Sequence, residues 1–240
     1  MRKINVITQK ELVDQEKIRN CTAVVIDVLL ATSTIAWLVE NNYEPVYAVK
    51  DATEALKIVQ DLHTPCHLLG EWNGEKIPGF DYPDPVQIQA APEKQAVIIC
   101  STNGTIAIEK AKSATVLYVA SLVNGHRVAE SIQNQENESS IVIVCSGNAG
   151  RFSMEDFIGA GHLVDCLLQK QEYMLSDSAK LARQSFLSAK STGFADIYKS
   201  ETACLLINTG FQESLKWVLK HVEKVSAVPI YQNGKLVNGL

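Results

Sequence analysis

The chain has 240 residues, of which 46% are hydrophobic and 20% charged. These are ordinary values for a folded globular protein and exclude a disordered, collagenous or coiled-coil chain. Its 22 basic and 27 acidic residues give a net charge of −5, and with no basic cluster on which to dock, nucleic acid is not expected as a partner. No apolar run reaches the roughly 18 residues of a membrane span, and the amino terminus has no signal pattern. The expected location is therefore the cytoplasm, with no membrane partner.

From the amino terminus, β-branched runs at residues 4–8, 22–28, 45–49, 66–69, 95–100, 115–119 and 139–145 read as strands. Amphipathic stretches at 33–41, 52–62, 104–111 and 123–133 separate them as helices. This alternation predicts an α/β fold, a three-layer α/β/α arrangement around a mostly parallel or mixed sheet. Residues 70–92 break the rhythm with Gly74, Pro78, Gly79, Pro83, Pro85 and Pro92, and predict a long loop of the kind that carries function. Beyond Cys145 the chain turns helical at 157–168, 176–187 and 214–219, and a strand at 227–232 precedes an Asn233-Gly234 turn. The chain reads as a single unit over 1–240, with 145–153 as the candidate break between two subdomains.

Ligands of α/β sheets bind beyond the carboxyl ends of the strands, and four junctions there are unusual. In the first, Asp27 ends an apolar strand and Thr32, Ser33 and Thr34 open a helix. The hydroxyls and first-turn amides could hold phosphate while Asp27 faces a metal; equally, they could cap the helix while Asp27 pairs locally. The second, Ser101-Thr102-Asn103-Gly104-Thr105, is either an oxyanion cradle or a capped Asn-Gly turn. The third, Cys145-Ser146-Gly147-Asn148-Ala149-Gly150-Arg151, has the Cys-x5-Arg spacing of a thiol phosphatase loop. Val144 and Phe152 stand where a His and a hydroxyl residue would lower the thiol pKa. That favours Ser146, Gly147 and Arg151 as phosphate holders over Cys145 as nucleophile. The fourth junction comprises Glu71, Asp81, Glu155 and Asp156, oxygen ligands suited to Mg2+, although either Glu155 or Asp156 could simply serve the helix dipole.

The six cysteines, Cys21, Cys66, Cys100, Cys145, Cys166 and Cys204, are scattered with no CxxC pair. They suggest neither a disulfide framework nor a structural zinc site. His63, His67, His126, His162 and His221 show no His-x-x-x-His spacing. Trp37 and Trp217 read as packing anchors, and Trp72 as part of the loop that lines the pocket.

Taken together, Ile-Asp-Val-Leu-x-Ala-Thr-Ser-Thr (26–34), Gly-Glu-x-Asn-Gly (70–74), Gly-Phe-Asp (79–81), Thr-Asn-Gly-Thr (102–105), Ser-Leu-Val-Asn (121–124) and Gly-Arg-Phe-Ser-x-Glu-Asp (150–156) resemble the 2-phosphosulfolactate phosphatase family. The resemblance implies a Mg2+-dependent acid phosphatase that releases phosphate from a small sulfonated phosphoester in the route to coenzyme M. Carried onto this chain, it implies Asp27, Glu71, Asp81, Glu155 and Asp156 around the metal. Thr32, Ser33, Asn103, Gly104, Thr105, Ser146 and Gly147 would hold phosphate, and Asp27 and Arg151 would be catalytic. The family pattern would place Arg where Leu30 and Trp72 stand, and Gly-Asn-Ser-Pro where Pro83-Asp84-Pro85-Val86 stands. Hydrolysis through Cys145, and a non-catalytic protein that only binds a phosphorylated metabolite, are the alternatives. A homo-oligomer is left open.

Overall fold

The computed structural model describes residues 1–88, 90–91, 93–135 and 137–239. Gln89 and Pro92 of the proline-rich stretch therefore lie outside the described residues. The fold is α/β, built on an 11-stranded mixed sheet. Its strands in chain order are β1 (Lys3–Ile7), β2 (Thr22–Ile26), β3 (Tyr43–Val49), β4 (Cys66–Trp72), β5 (Glu75–Lys76), β6 (Gln95–Cys100), β7 (Val116–Ala120), β8 (Ile141–Cys145), β9 (Met174–Leu175), β10 (Pro229–Gln232) and β11 (Lys235–Asn238). The helices are α1 (Gln15–Ile18), α2 (Ala31–Glu40), α3 (Ala52–Leu62), α4 (Gly104–Ala111), α5 (Gly125–Asn134), α6 (Met154–Leu168), α7 (Asp177–Ser191), α8 (Glu201–Asn208) and α9 (Gln212–Lys220).

The spatial order is β5-β4-β6-β3-β11-β10-β7-β2-β8-β1-β9. Parallel pairing joins β4, β6 and β3 in one block, and β7, β2, β8, β1 and β9 in another. The antiparallel β10–β11 hairpin lies between them, so the two blocks run in opposite senses. Helix α2 packs on β3 and β7, and α4 on β2 and β3; the sheet thus folds around this helix pair, and strand ends from both blocks reach one cleft.

Local chemistry accounts for the elements. Strand β2, Thr-Ala-Val-Val-Ile, is buried at all five positions, as expected of a strand covered on both faces. Ser153, Ser176 and Ser200 cap α6, α7 and α8, each hydroxyl accepting the third helical amide at 3.1–3.2 Å, a contact typically worth about 1 kcal/mol. The apolar core is continuous from Ile4 on β1 to Leu236 on β11.

The strands expected from β-branched runs are all present, with ends shifted by a few residues. Elements α1, β5, β9, α8 and β11 were not expected. Strands β5 and β9 have two residues each and α1 four, too short for periodicity to register. The stretch 70–92 is not irregular from its start: β4 continues to Trp72 and returns as β5 through Asn73-Gly74, whose φ values of 52° and 82° are both left-handed. Asn233-Gly234 repeats the device between β10 and β11, at 51° and 84°. Asn-Gly suits such two-residue turns because both central positions need positive φ.

Helices α6 and α7 pack so closely at Gly161 that a Cβ there would lie 1.9 Å from the Ala182 carbonyl oxygen. Because the obstacle is backbone, Gly161→Ala should destabilise the fold by roughly 1–3 kcal/mol or more, a fall of about 2–10 °C in Tm for a chain of this size. Thermal unfolding monitored by circular dichroism measures it, and an unchanged Tm would contradict the packing described.

Candidate active site

Asp27, the residue after β2, is buried at 7% exposure. One of its oxygens accepts the Ala31 amide at 3.3 Å, and the other lies where a Cβ on residue 104 would meet it at 2.8 Å. Glycine at 104 is what lets the first turn of α4 approach this carboxylate. Burial, then the charges of Glu71 and Glu155, push the Asp27 carboxyl up to about 7, with Lys10 acting in the opposite direction.

Three strand-to-helix turns around Asp27 close by hydroxyl or amide side chains. Thr32 Oγ1 accepts the Asp27 amide and donates to the Asp27 carbonyl. Thr105 Oγ1 does the same for Ser101, whose own hydroxyl accepts the Thr105 amide. Asn124 accepts the Ser121 amide, and Ser121 Oγ lies 2.6 Å from Ser33 Oγ, which also donates to the Val28 carbonyl. Thr32, Ser33 and Thr105 are fully buried and occupied in this way. Their contacts close the strand-to-helix turns; neither α2 nor α4 has a side-chain cap at its N-cap residue, Leu30 or Asn103.

The carboxylates divide by their partners. Glu71 accepts the Thr102 amide and hydroxyl and the Gly74 amide, at 2.7–2.9 Å, tying the β4–β5 turn to the end of β6. Asp156 accepts the Val28 amide at 2.9 Å and the Gly147 amide at 3.0 Å, joining the ends of β2 and β8; burial and then Asp27 and Glu155 hold its carboxyl well above the usual range. Glu155, 3% exposed, has no hydrogen-bond partner among the described residues. Asp81 lies apart: its backbone pairs with Leu68 and Gly70, and its side chain borders neighbouring clefts beyond Tyr82. No three of these five acids bring carboxylate oxygens within 4.8 Å of one another.

Lys10, just past β1, was not among the expected site residues. Only 4% exposed, it donates to Asn103 Oδ1 at 2.8 Å and to the Ser146 carbonyl at 3.2 Å, and pairs with Glu11 at 3.1 Å. The rule that ligands sit beyond strand ends applies to β1 as to the others, and would have found it. Asn103 also accepts the Ala149 amide at 3.1 Å, while the Asn103 and Gly104 amides at the start of α4 have no partner among the described residues. Ser146 Oγ is buried with no hydrogen-bond partner. Gly147, at φ 73°, could not bear a side chain, because a Cβ would meet the Arg151 carbonyl at 2.7 Å.

Arg151 is not part of the lining of the cleft over Asp27. Its guanidinium is exposed and pairs with Glu201 at 2.8 Å. Cys145 is fully buried, and burial, followed by Asp156 and Glu155, raises its thiol well above the ordinary range, so it is a thiol packed at a strand end. Trp72 is 48% exposed and stands outside the cleft.

The cleft over Asp27 measures about 190 Å³. Its polar wall includes Asp27, Glu71, Thr102 and Asn103, and its apolar wall includes Leu29 and Leu30, joined by a cis peptide bond, with Tyr82. Thr202, Leu205 and Leu206 of α8 close it from above; exposed apolar residues on α8 gave that helix no clean stripe in the sequence. A small cleft at the carboxyl ends of α/β strands, lined by the buried Asp27, by Glu71 and by the residues that open α4, is where such a fold binds a small ligand.

A family model described as 2-phosphosulpholactate phosphatase matches residues 7–234. The chain is 32% identical over 236 residues to a probable 2-phosphosulfolactate phosphatase of Clostridium novyi, covering 98% of this chain and 99% of that protein. It is 37% identical over 221 residues to the protein of that name from Clostridium perfringens strain SM101, with 90% and 88% coverage. For the Thermotoga petrophila protein of that name the identity is 35% over 219 residues, with 90% and 91% coverage. The chain belongs to the 2-phosphosulfolactate phosphatase family, whose members are phosphoric monoester hydrolases.

The raised Asp27 pKa makes stability depend on pH. An unfolded aspartate loses its proton near pH 4 and the buried one near 7, so the unfolded state binds fewer protons between these values and stability falls as pH rises from about 4 to 7. In EDTA, Asp27→Asn keeps an acceptor for Ala31 without the charge. Its stability should match the parent near pH 4 and exceed it at pH 8 by on the order of a few kcal/mol, a rise in Tm of about 2–4 °C for each kcal/mol. Equal Tm values at both pH values would show that Asp27 carries no such burden.

Proposed function

We propose that the protein is a Mg2+-dependent phosphatase that hydrolyses 2-phosphosulfolactate, or a phosphorylated hydroxy acid of that size, to the hydroxy acid and phosphate. The observation that carries this reading is the crowding at Asp27: its buried carboxyl lines the cleft beside Glu71, and buried Glu155 is close enough to push it up further, while the buried Lys10 acts against them. The names of the relatives supply the substrate class, and the cleft volume suits a molecule of that size.

The donor set fits a hard divalent ion, which takes oxygen ligands and, for Mg2+, only one or two carboxylates. Asp27 and Glu155 would hold it, since Glu71 and Asp156 are committed to backbone amides. Bound there, Mg2+ supplies the positive charge that offsets the acids and the phosphoryl oxygens. Lys10, the free amides of Asn103 and Gly104, and the dipole of α4 bind and orient the phosphoryl group. Glu71 and Asp156 keep the turns in register. Leu29, Leu30 and Tyr82 exclude water from the side of the cleft that receives the rest of the substrate. Leu30, in place of an arginine, gives the pocket little to pair with a sulfonate.

Phosphate release from 2-phosphosulfolactate should stop in EDTA and return with Mg2+. Lys10→Met should lower kcat/KM by roughly 100-fold, as for other preorganised groups aimed at developing charge. Arg151→Met should stay within about tenfold of the parent, and Cys145→Ser should keep most activity, because a packed thiol has no chemical duty to lose. Full turnover in EDTA, or a folded but dead Cys145→Ser, would reject the mechanism. Binding of the phosphoester without turnover would instead establish the non-catalytic alternative.

Specificity supplies a separate test. On matched phosphoesters, the sulfonated compound should be favoured only weakly over carboxylate analogues, and Leu30→Arg should shift kcat/KM toward it, since a charge-assisted contact typically contributes about 1.5–3 kcal/mol. A strong sulfonate preference in the unaltered protein would show that another group already fills that role.

A further inference from the structure

Away from the cleft, α6 carries His162 and Cys166 four residues apart, on one face of the helix. Glu223, in the turn after α9, brings its carboxylate to them, and one ligand atom from each of the three lies within 4.8 Å of the others. His162 Nε2 is 2.9 Å from Glu223 Oε1. The histidine-to-cysteine spacing was visible in the sequence; its partner, sixty residues on, was not.

The group is built in from two sides. Glu223 adopts a left-handed φ of 58°, and its amide donates to the Leu122 carbonyl at 3.0 Å while the Val225 amide donates to the Val123 carbonyl at 3.1 Å. These contacts fix the turn against the end of β7. On the other side the His162 ring is fully buried, and a Cβ on residue 125 would stand 2.7 Å from Nδ1, so glycine at 125 makes room for the ring. That Nδ1 has no hydrogen-bond partner, and neither has the buried Nδ1 of nearby His126. The Glu223 side chain is 42% exposed, which leaves a route from solvent.

We propose that His162, Cys166 and Glu223 form a second cation site, for a borderline-soft divalent ion with zinc as the best match, held by imidazole Nε2, thiolate Sγ and a carboxylate oxygen, with water as fourth ligand. A mixed nitrogen, sulfur and oxygen set is zinc's, whereas Mg2+ and Ca2+ take oxygens. One thiolate and one carboxylate balance the ion's two charges. Burial, then Glu223, pushes the Cys166 thiol up to about 12, so the metal-free site carries S–H. On binding, the S–H bond breaks, its proton leaves to solvent and the sulfur electron pair forms the metal–sulfur bond. In the neutral ring, the Nε2 proton that faces Glu223 passes to the unpartnered Nδ1, which frees the Nε2 lone pair for the metal. The ion ties α6 to the turn before β10, about 9 Å along the helix from Asp156.

Titration of the metal-free protein with Co2+ and Zn2+ tests the site. One equivalent of Co2+ should give an intense thiolate-to-metal charge-transfer band that is absent in Cys166→Ala, and Zn2+ should raise the Tm of the parent. Glu223→Gln, at a half-exposed position where the fold tolerates the change, should bind Zn2+ roughly 100-fold more weakly. Both variants should keep the parent's phosphate release with Mg2+. The proposal is overturned by the absence of a thiolate band, by a band that survives in Cys166→Ala, which would assign it to another thiol such as the exposed Cys204, or by equal Zn2+ affinity in Glu223→Gln.

Discussion

A single carboxylate, that of Asp156, holds the candidate active site in register. Its two oxygens accept amides from the turns that end β2 and β8, while its own amide is capped by Ser153. Adjacent parallel strands pair through their ladder as far as Ile26 and Cys145, but beyond those residues the ladder stops and the chains must diverge into separate loops. Asp156 substitutes for the missing rungs. Because it projects from the first turn of α6, it also sets where Glu155 and the following helix stand relative to Asp27. Removing it would leave two buried amides without acceptors, each a cost of about 1–3 kcal/mol.

The same site illustrates how one residue type serves opposed purposes. Glu71 and Asp156 spend their oxygens on backbone amides, so their charge is delocalised over donors and they act as fasteners. Asp27 receives one long contact from Ala31, and Glu155 none among the described residues, so their charge is left facing its neighbours. Crowding of this kind is destabilising in isolation. The amino terminus of α4 and the buried Lys10 ammonium offset part of it, and the ligand and divalent ion proposed above would offset the rest.

Much of this was legible in the sequence, for identifiable reasons. Buried parallel strands are β-branched runs, so β2, β6 and β8 could be read directly, and each run pointed to the turn that follows it. Asp27, Asn103 and Gly104 come into view as candidates that way, and Glu71 as an acid of the long loop. The roles of Thr32, Ser33 and Thr105 were not settled, because a hydroxyl that caps a turn and one that binds phosphate occupy the same position in the chain; only burial and partners separate them. Arg151 has the spacing of a phosphate ligand, but spacing does not fix side-chain partners, and its exposed guanidinium pairs with Glu201 on a helix fifty residues later. Lys10 was passed over because a lone lysine after a short strand resembles any surface lysine until the fold buries it. The contribution of α8 was hidden for a similar reason, since only Ala203 and Leu206 join the core while Leu205 and Ile207 are exposed.

Helix α6 relates the two halves of this chemistry. Its first turn carries Glu155 and Asp156 beside Asp27, and its third and fourth turns carry an imidazole and a thiol beside Glu223. The distinction follows from the groups themselves. Oxygen anions beside an open cleft would suit an ion that keeps its own water and a phosphate, whereas a buried thiol costs too much to ionise without a metal bonded directly to sulfur. Under the two proposals above, an ion exchanged between the two places would lose on both counts, and the separation would keep a substrate-linked cation from competing with one that fastens the helix.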